Sequence, residues 1–446
     1  MIKNTLLPVA EFCQRRRDFI AQMPENSIAL ISACKEVTRS NDTEYPFCQH
    51  KHFYYLTGFN EPDAMLVLIN TDKLNAAQSI LFSREKDALQ EIWHGRRVGQ
   101  AKAIDDYQVD DCFSLAEIDQ QLLPLMSGKS AVLICQPELA EFQQQVLDWL
   151  NKVRKAARSG IKAPNSLIDC SDILDEMRLH KSPAELDIMR QVNVISGAAH
   201  QRAMQATKTG KFEYQIEAEL LHEFAIHGAR YPAYGSIVAG GDNANILHYT
   251  DNDDTLNDGD LLLIDAGGEL AGYAADITRT FPVNGQFSEP QALIYQLVLD
   301  SQNLAINAIK PLQTFAQLNH IVCDFLTQGL YDLGVLQGDI TELLAKKACK
   351  KYFIHGLGHW LGLDVHDVGD YHSNQQREQL RPFAAGMVMT IEPGIYIPLS
   401  DHSVDEKWRG IGVRIEDNIL VTTNGFENLT INAAKSIADI EQLMSQ

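Results

Sequence analysis

The chain carries one sequence pattern twice, as Gly259-Asp-Leu-Leu-Leu-Ile-Asp265-Ala-Gly267 and as Gly386-Met-Val-Met-Thr-Ile-Glu392-Pro-Gly394. Each copy runs from a glycine through an apolar stretch ending in isoleucine to an acid, any residue and a second glycine. An acid at the end of an apolar strand is costly to bury unless a positive charge meets it. Two acids in matching positions therefore predict one shared cation site, which we interpret as a metal site.

Each of these acids has a companion further along the chain. Asp276 follows Asp265 after a glycine-containing stretch. A hairpin turning there brings both carboxylates to the same interior surface. In the second copy, Glu416 within Gly412-Val-Arg-Ile-Glu-Asp is the natural counterpart of Asp276. Four carboxylates are thus expected to converge.

Imidazoles are supplied close to the second copy by His355-Gly-Leu-Gly-His359. Its glycines disfavour the helical histidine pair of zinc peptidases of the His-Glu-x-x-His type. We predict a strand or loop in which only one of the two histidines needs to be a ligand. Outside the metal shell, His248 and His366 are candidate proton donors to a tetrahedral intermediate.

Four carboxylates predict two divalent cations, because two such ions balance their charge. Ligands dominated by hard oxygen, with a single imidazole, suit manganese, iron or cobalt, and they also accept zinc. An ion pair of this kind lowers the pKa of a bridging water toward roughly 7 and orients the substrate. The sequence therefore predicts hydrolysis, with a metal-bridging hydroxide as the nucleophile.

The order of apolar and polar segments predicts two domains. Up to about residue 175, short apolar runs alternate with helix-compatible stretches, a pattern typical of an α/β domain. Ser182-Pro-Ala-Glu185 then combines a capping box with proline at the first helical position. We place the boundary just before it, which gives an N-terminal domain of residues 1–176 and a C-terminal domain of residues 177–446.

Within the C-terminal domain, a pair of amphipathic helices is expected ahead of each set of strands. The predicted inward-facing residues of the third and fourth helices are Ile294, Leu297, Ser301 and Leu304, and Leu318, Ile321, Phe325 and Leu333. Two helices and a set of antiparallel strands, repeated once, predict a pseudo-two-fold α+β domain. A site is expected where the repeats meet.

The charge balance disfavours some classes of partner. The 446 residues include 59 acids and 38 bases, and the net charge of −21 repels nucleic acid and anionic lipid. We expect no nucleic-acid or membrane partner. Because neither a long apolar signal core nor a run of about 18 apolar residues occurs, we predict a cytoplasmic location.

Six motifs together resemble one known family. They are Ile246-Leu-His-Tyr, Leu263-Ile-Asp-Ala-Gly, Ala275-Asp-Ile-Thr-Arg-Thr-Phe, His355-Gly-Leu-Gly-His-Trp-Leu-Gly-Leu-Asp-Val-His-Asp, Thr390-Ile-Glu-Pro-Gly-Ile-Tyr and Gly412-Val-Arg-Ile-Glu-Asp. The chain resembles the Xaa-Pro aminopeptidases (aminopeptidase P), members of the pita-bread metallopeptidase group that includes prolidase. The resemblance implies a pita-bread C-terminal domain that follows a creatinase-type N-terminal domain.

The resemblance also assigns roles to individual residues. It implies that two metal ions, usually manganese, are held by Asp265, Asp276, His359, Glu392 and Glu416. Asp276 and Glu416 would bridge the ions, and Glu392 would help to deprotonate the bridging water. His248 and His366 would bind the scissile carbonyl and the developing oxyanion. Substrate binding would further involve His355, as the wall of a proline pocket, with Arg414 and Tyr396 behind the ligands.

For the N-terminal domain, the resemblance implies a role in building oligomers and closing off the active site. Asp42 and Trp93 match positions that reach a neighbouring subunit's site in bacterial relatives. A homotetramer, or a dimer, is implied. The expected substrates are peptides with proline at the second position, whose tertiary amide lacks an N–H and whose ring fixes φ near −65°. A pocket shaped to the ring can exploit these properties.

Three alternative functions remain. A prolidase restricted to Xaa-Pro dipeptides would share all five metal ligands. A non-catalytic peptide-binding module on the same fold, and a creatinase-like hydrolase without metal, are both disfavoured because all five ligand residues are present.

Overall fold

The computed structural model of the chain describes residues 6–71, 78–135, 140–373 and 378–446. The chain divides into two compact units, Met1–Arg178 and Leu179–Gln446. The predicted domain boundary at residues 176 and 177 lies near this division and stays a prediction.

The first unit is an α/β domain with a mixed central sheet. Its strands are β1 (Ile28–Ser32), β2 (Thr38–Ser40), β3 (Thr43–Glu44), β4 (Met65–Ile69), β5 (Ser79–Ser83), β6 (Asp111–Ser114), β7 (Ala131–Ile134) and β8 (Ser166–Asp169). Its helices are α1 (Val9–Gln22), α2 (Lys51–Thr57), α3 (Ala88–His94), α4 (Gln100–Tyr107), α5 (Ile118–Met126), α6 (Ala140–Lys155) and α7 (Ser171–Leu179). The sheet has the order β6-β5-β4-β1-β7-β8, with β1 antiparallel to β4 and parallel to β7. The predicted α/β character of this half is confirmed.

The second unit combines layers of helices with several small antiparallel sheets. Its helices are α8 (Pro183–Ala206), α9 (Glu213–Ile226), α10 (Glu289–Asn307), α11 (Phe315–Asp332), α12 (Ile340–Ala345) and α13 (Ile437–Met444). Its strands are β9 (Tyr231–Pro232), β10 (Ile237–Gly240), β11 (Leu261–Asp265), β12 (Gly268–Leu270), β13 (Tyr273–Ala274), β14 (Thr278–Pro282), β15 (Val388–Ile391), β16 (Gly394–Ile397), β17 (Ile411–Arg414), β18 (Asp417–Thr422) and β19 (Gly425–Asn428). Among the described parts of both units, no helix combines the length and apolar character needed to cross a lipid bilayer.

The duplicated sequence pattern corresponds to a duplicated arrangement of strands. β11 ends at Asp265 and pairs antiparallel with β14, which follows Asp276. β15 ends just before Glu392 and pairs antiparallel with β18, which directly follows Glu416. Between its two acids, the first copy forms the β12–β13 hairpin and the second copy forms the β16–β17 hairpin. With a helix pair ahead of each copy, the predicted pseudo-two-fold α+β arrangement is confirmed.

The α8 helix begins as the sequence predicts, whereas the inward faces of α10 and α11 are partly wrong. Ser182 and Glu185 form the predicted capping box. However, the expected inward residues Leu304, Ile321 and Phe325 are exposed. The residues that the two helices bury include Ile294, Val298, Ser301 and Ala305, and Leu318, Val322, Leu326 and Leu330. These recur at spacings of three and four, whereas Leu304, Ile321 and Phe325 lie at the edge of each buried face, where an apolar residue can stay exposed.

Candidate metal centre

A cavity of about 250 Å³ in the second unit is lined by residues from both copies of the repeat. Its lining consists of Leu247, His248, Asp265, Asp276, His355, Gly356, Gly358, His359, His366, Glu392, Arg414 and Glu416. All five predicted metal ligands are therefore brought to one cavity, together with the three other histidines that the sequence singled out.

Three of these residues are close enough to share one ion. Asp276, His359 and Glu416 each offer one ligand atom, and these atoms lie within 4.8 Å of one another. His359 Nε2 lies 3.3 Å from Asp276 Oδ2 and 3.7 Å from Glu392 Oε1. The imidazole thus stands between one acid from each copy.

Hydrogen bonds across the repeat hold Glu416 next to the first copy. Its backbone N–H donates to Thr278 O at 3.0 Å, and the Thr278 hydroxyl donates to Glu416 Oε2 at 2.6 Å. Thr278 is also paired with Asp265 in the β11–β14 ladder. One threonine therefore links the acids of the two copies.

The His355–His359 segment is a loop that is fastened to β15. Neither helix nor strand is formed there, in agreement with the non-helical prediction. Thr390 N–H donates to His359 O at 2.9 Å, and His359 N–H donates to Thr390 Oγ1 at 3.0 Å. A Cβ atom added at Gly358 would lie 2.0 Å from Thr390 O. Only glycine allows this close approach, which brings His359 to the acids.

Asp265 is held by two further side chains. Arg414 Nη2 donates to Asp265 Oδ2 at 2.7 Å, and the Tyr234 hydroxyl donates to Asp265 Oδ1 at 2.6 Å. The same Tyr234 oxygen also contacts Asp276 Oδ1. Because each carboxylate oxygen has two lone pairs, these contacts still leave lone pairs for a metal ion.

The pKa values of the acids reflect burial and mutual repulsion. Burial, and next the charge of Asp276, raises the pKa of Glu416 well above its usual value. Burial also raises the pKa of Glu392 to about 7 and, together with Asp265, raises that of Asp276. For Asp265 burial acts in the same sense, but the Arg414 guanidinium outweighs it and the pKa is lowered. Three of the four acids therefore resist ionisation in the protein alone.

The residues present fit the binding of divalent cations. Four carboxylates line the cavity, and within that lining the fixed positive charge is the Arg414 guanidinium, which is paired with Asp265. Burial lowers the pKa of His359, but the adjacent Asp276 carboxylate outweighs burial and the net value is about 9. A proton on His359 thus partly substitutes for a cation. Hard oxygen donors with one imidazole form the ligand set that divalent ions such as Mn²⁺ or Zn²⁺ accept.

The remaining predicted residues of this unit surround the acids. His355 Nε2 lies 2.8 Å from the Tyr396 hydroxyl, which accepts from Arg414 Nη1 at 2.9 Å. Burial, and next the Arg414 charge, lowers the pKa of His355 to about 4, so this imidazole is neutral at physiological pH. His248 and His366 are exposed at the cavity, and the His366 ring centroid lies 4.2 Å from that of His359.

Asp42 and Trp93 both belong to the first unit. Asp42 lies in the exposed turn between β2 and β3, and Trp93 on α3 is 79% exposed. Their roles at a neighbouring subunit's site stay predictions.

Sequence reasoning missed three residues that support the acids, namely Tyr234, Thr278 and Thr390. Thr278 lies two residues after Asp276, and Thr390 lies two residues before Glu392, to whose Oε1 it donates at 3.3 Å. Residues i and i+2 of a strand share a face, so this spacing could have identified both threonines. Tyr234 lies far from both aspartates in the sequence, and no local pattern marks it.

Comparison with known proteins identifies both halves of the chain. Residues 187–423 match the profile of metallopeptidase family M24, and residues 12–134 match that of the aminopeptidase P N-terminal domain. The chain is 48% identical to Xaa-Pro aminopeptidase of Escherichia coli K12 over 434 residues, 97% of each sequence.

Solved structures give the same picture. The structure resembles aminopeptidase PepP of Pseudomonas aeruginosa, with a TM-score of 0.96 and 45% identity over 98% of each chain. It also resembles zinc-substituted aminopeptidase P from E. coli in complex with product, with a TM-score of 0.95 and 47% identity over 98% of each chain.

Proposed function

The chain belongs to metallopeptidase family M24, within the Xaa-Pro aminopeptidases, and from this premise we propose how its cavity acts on a peptide. Two divalent metal ions bind in the cavity, and the enzyme releases an N-terminal residue that precedes proline. The residues that would hold the ions are Asp265, Asp276, His359, Glu392 and Glu416.

One observation carries this proposal. Four carboxylates from the two copies of the repeat line one small cavity in which the protein supplies less positive charge than the acids require. Ionising all four acids destabilises the fold unless cations bind, because buried like charges repel one another. Two divalent ions would neutralise the four acids.

The surrounding residues perform the proton transfers. When bound, the ions would supply a water whose pKa is lowered from 15.7 toward roughly 7. Glu392, which lines the same cavity, would accept a proton from that water. Exposed at the cavity, His248 and His366 bind the scissile carbonyl and donate to the oxyanion as its charge develops.

The preference for proline follows from the shape and chemistry of its amide. The bond lacks an N–H, so an enzyme gains nothing from an acceptor placed at that position. His355, whose two ring nitrogens contact Gly356 O and the Tyr396 hydroxyl, presents a rigid ring face against which the proline ring packs. Tyr396 holds His355 in position, and Arg414 links Tyr396 to Asp265.

We propose that the ion used in the cell is manganese, since four of the five ligand residues are carboxylates, which are hard oxygen donors. The existence of a zinc-substituted relative agrees with a site that accepts more than one divalent ion. We further propose a cytoplasmic homo-oligomer, a tetramer or a dimer, in which Asp42 and Trp93 serve a neighbouring subunit's site. The match to the aminopeptidase P N-terminal domain supports this assembly.

A peptide panel tests the substrate class. The manganese-loaded protein is expected to cleave the first bond of Ala-Pro-Ala and to leave Ala-Ala-Ala intact. Treatment with a chelator should abolish the cleavage, and manganese should restore it. Cleavage of the dipeptide Ala-Pro with no action on Ala-Pro-Ala would instead establish a prolidase. Cleavage of neither peptide would favour a non-catalytic peptide-binding module.

A further inference from the structure

The loop between β10 and β11 carries His248 to the cavity. It leaves β10 at Gly240, forms a 3-10 turn at Gly241–Asn245 and returns to β11 at Leu261. His248 is exposed, whereas its neighbour Tyr249 is 7% exposed and packs with the apolar side chains of β10 and β11. The position of the exposed His248 is therefore set by its buried neighbour Tyr249.

A fully buried acid, Glu213, accepts hydrogen bonds from residues between Gly240 and Asp254. Glu213 Oε1 accepts from Gly240 N at 2.7 Å and from Asn243 Nδ2 at 3.1 Å. Glu213 Oε2 accepts from the Tyr249 hydroxyl at 2.7 Å and from Asp254 N at 2.9 Å. Four donors, which lie on both sides of His248 in the sequence, thus converge on one carboxylate.

This convergence is not a by-product of helix capping. Glu213 is the first residue of α9, where an acid favours the helix dipole. The cap itself comes from Gln215, whose side chain accepts from Phe212 N at 2.9 Å. The Glu213 carboxylate is therefore free to serve the loop, and its four donors offset the cost of burying a charge.

The backbone places Glu213 beneath the loop. Leu256 N–H donates to Lys211 O at 2.8 Å, and Glu213 N–H donates to Asp254 O at 3.0 Å. Phe212 and Thr255 form an antiparallel bridge between these bonds. The far end of the loop is thus paired with the residues just before α9, so the Glu213 side chain can reach the near end.

We propose that Glu213 is a positioning residue for peptide hydrolysis, which fixes the loop so that His248 is held at the cavity. The inference rests on the proposed function, because it assigns Glu213 an effect on the reaction through His248. A reacting geometry displaced by about 1 Å lowers a rate by roughly 100-fold. The four donors need both carboxylate oxygens of Glu213 as acceptors. Glutamine would replace one oxygen with an NH₂ group, which cannot accept a hydrogen bond, so two of the donors would lose their partner.

The test combines Glu213→Gln with His248→Ala in a double-mutant cycle, measured on the manganese-loaded full-length protein with Ala-Pro-Ala. We expect Glu213→Gln to lower kcat by about 10-fold or more. In the His248→Ala background the same change should alter kcat by less than about twofold. Glu217→Gln, one turn later on α9, is the matched control and should leave kcat unchanged. Equal losses in both backgrounds would overturn the proposal.

Hydrogen exchange of the loop supplies a readout that does not depend on activity. Amides of residues 240–254 should exchange faster in Glu213→Gln and in Tyr249→Phe than in the wild type, with α10 unchanged. Unaltered exchange in the loop would overturn the proposal even if activity fell. If the wild type hydrolyses no Xaa-Pro peptide, the proposed function fails, and loop exchange alone decides whether Glu213 holds the loop.

Discussion

At the scale of single residues, the decisive feature is a set of acids whose charges the protein does not balance. Asp265 has Arg414 as a partner, whereas the imidazole of raised pKa beside Asp276, Glu392 and Glu416 is that of His359. The second imidazole near Glu392, that of His355, has a lowered pKa and carries no charge at neutral pH. A structural ion-pair network would place a cation beside each acid. The arrangement is therefore better explained by binding of ions from solution.

This imbalance predicts a pH-dependent stability of the metal-free protein. The pKa of His359 is raised from 6.5 to about 9 in the fold, so its contribution is fully present below about pH 6.5 and is lost as pH rises through 9. The raised pKa of Glu416 acts in the same sense. The loss from His359 alone is on the order of 3 kcal/mol. Below about pH 6.5, His200 and His355 act oppositely, because burial lowers their pKa values to about 4.

Thermal unfolding of chelated protein between about pH 6.5 and pH 9 measures this effect. The unfolding temperature should fall steadily as pH rises. Manganese-loaded protein is the control, and its unfolding temperature should change less, since bound ions replace the protons. A metal-free unfolding temperature that stays constant or rises over this range would contradict the charge assignment.

The contacts of Tyr234 predict that this residue affects metal affinity. Its hydroxyl contacts one oxygen of Asp265 and one of Asp276, and thereby sets the orientation of both carboxylates. Tyr234→Phe should weaken manganese binding by about 10- to 100-fold, the usual effect of removing a hydrogen bond to a metal ligand. Calorimetric titration measures the dissociation constant.

Tyr295→Phe is the matched control for Tyr234→Phe. It also removes a buried phenol hydroxyl, which donates to the backbone carbonyl of Lys435 at 2.8 Å. Both variants should lose some stability, but only Tyr234→Phe should lose metal affinity. Equal dissociation constants for the two variants would show that Tyr234 has no part in orienting the acids.

The sequence identified the acids more readily than their supports. Asp265 and Glu392 end apolar runs, so their types and positions carry the signal themselves. The support of Arg414 for Asp265 was expected only from the family resemblance. Tyr234 was not expected at all, because the chain fold alone brings it to Asp265 and Asp276.

At the scale of elements, the two acid-bearing strand pairs depend on close backbone approaches. A Cβ atom added at Gly267, directly after the first acid and its neighbour, would lie 1.8 Å from Ala275 O. That contact cannot be relieved by a side-chain rotation. The glycine that the sequence pattern repeats is therefore required by the return of the chain toward Asp276.

Gly267→Ala should consequently destabilise the second unit by roughly 3 kcal/mol or more, at the upper end of the losses caused by single substitutions. Gly425→Ala, at the first residue of β19, is the control, because nothing lies within 4 Å of its added Cβ atom. Urea unfolding followed by tryptophan fluorescence measures both variants. If the urea midpoint of Gly267→Ala equalled that of Gly425→Ala, the chain could accommodate the added Cβ atom without loss of stability, and the argument from close approach would be wrong.

Whether a segment forms a helix or a strand was predictable from the sequence, but which side of a helix is buried was less so. The capping box at Ser182 and the apolar runs of the first unit gave the right helices and strands. The inward faces of α10 and α11 were found only in part: Ile294, Ser301 and Leu318 are buried, but Leu304, Ile321 and Phe325 are apolar yet exposed. Apolar residues are common on protein surfaces, so periodicity alone does not identify the buried side of a helix.

At the scale of the whole molecule, the duplicated halves of the second unit explain why the site lies where it does. Each copy contributes one acid at a strand end and one just ahead of the partner strand, and the Thr278–Glu416 contact joins the copies. The sequence predicted this convergence because the repeat is visible in it. The hydroxyl groups and loop anchors that complete the site come from segments without a repeat.

The most direct test of the central claim is a manganese count made together with a hydrolysis assay. The wild type should bind about two ions per chain and cleave Ala-Pro-Ala. Asp276→Ala should keep its circular dichroism spectrum but bind fewer ions and lose at least about 1,000-fold in kcat/KM. Full hydrolysis by wild type holding far less than one ion per chain, or by Asp276→Ala, would contradict the account.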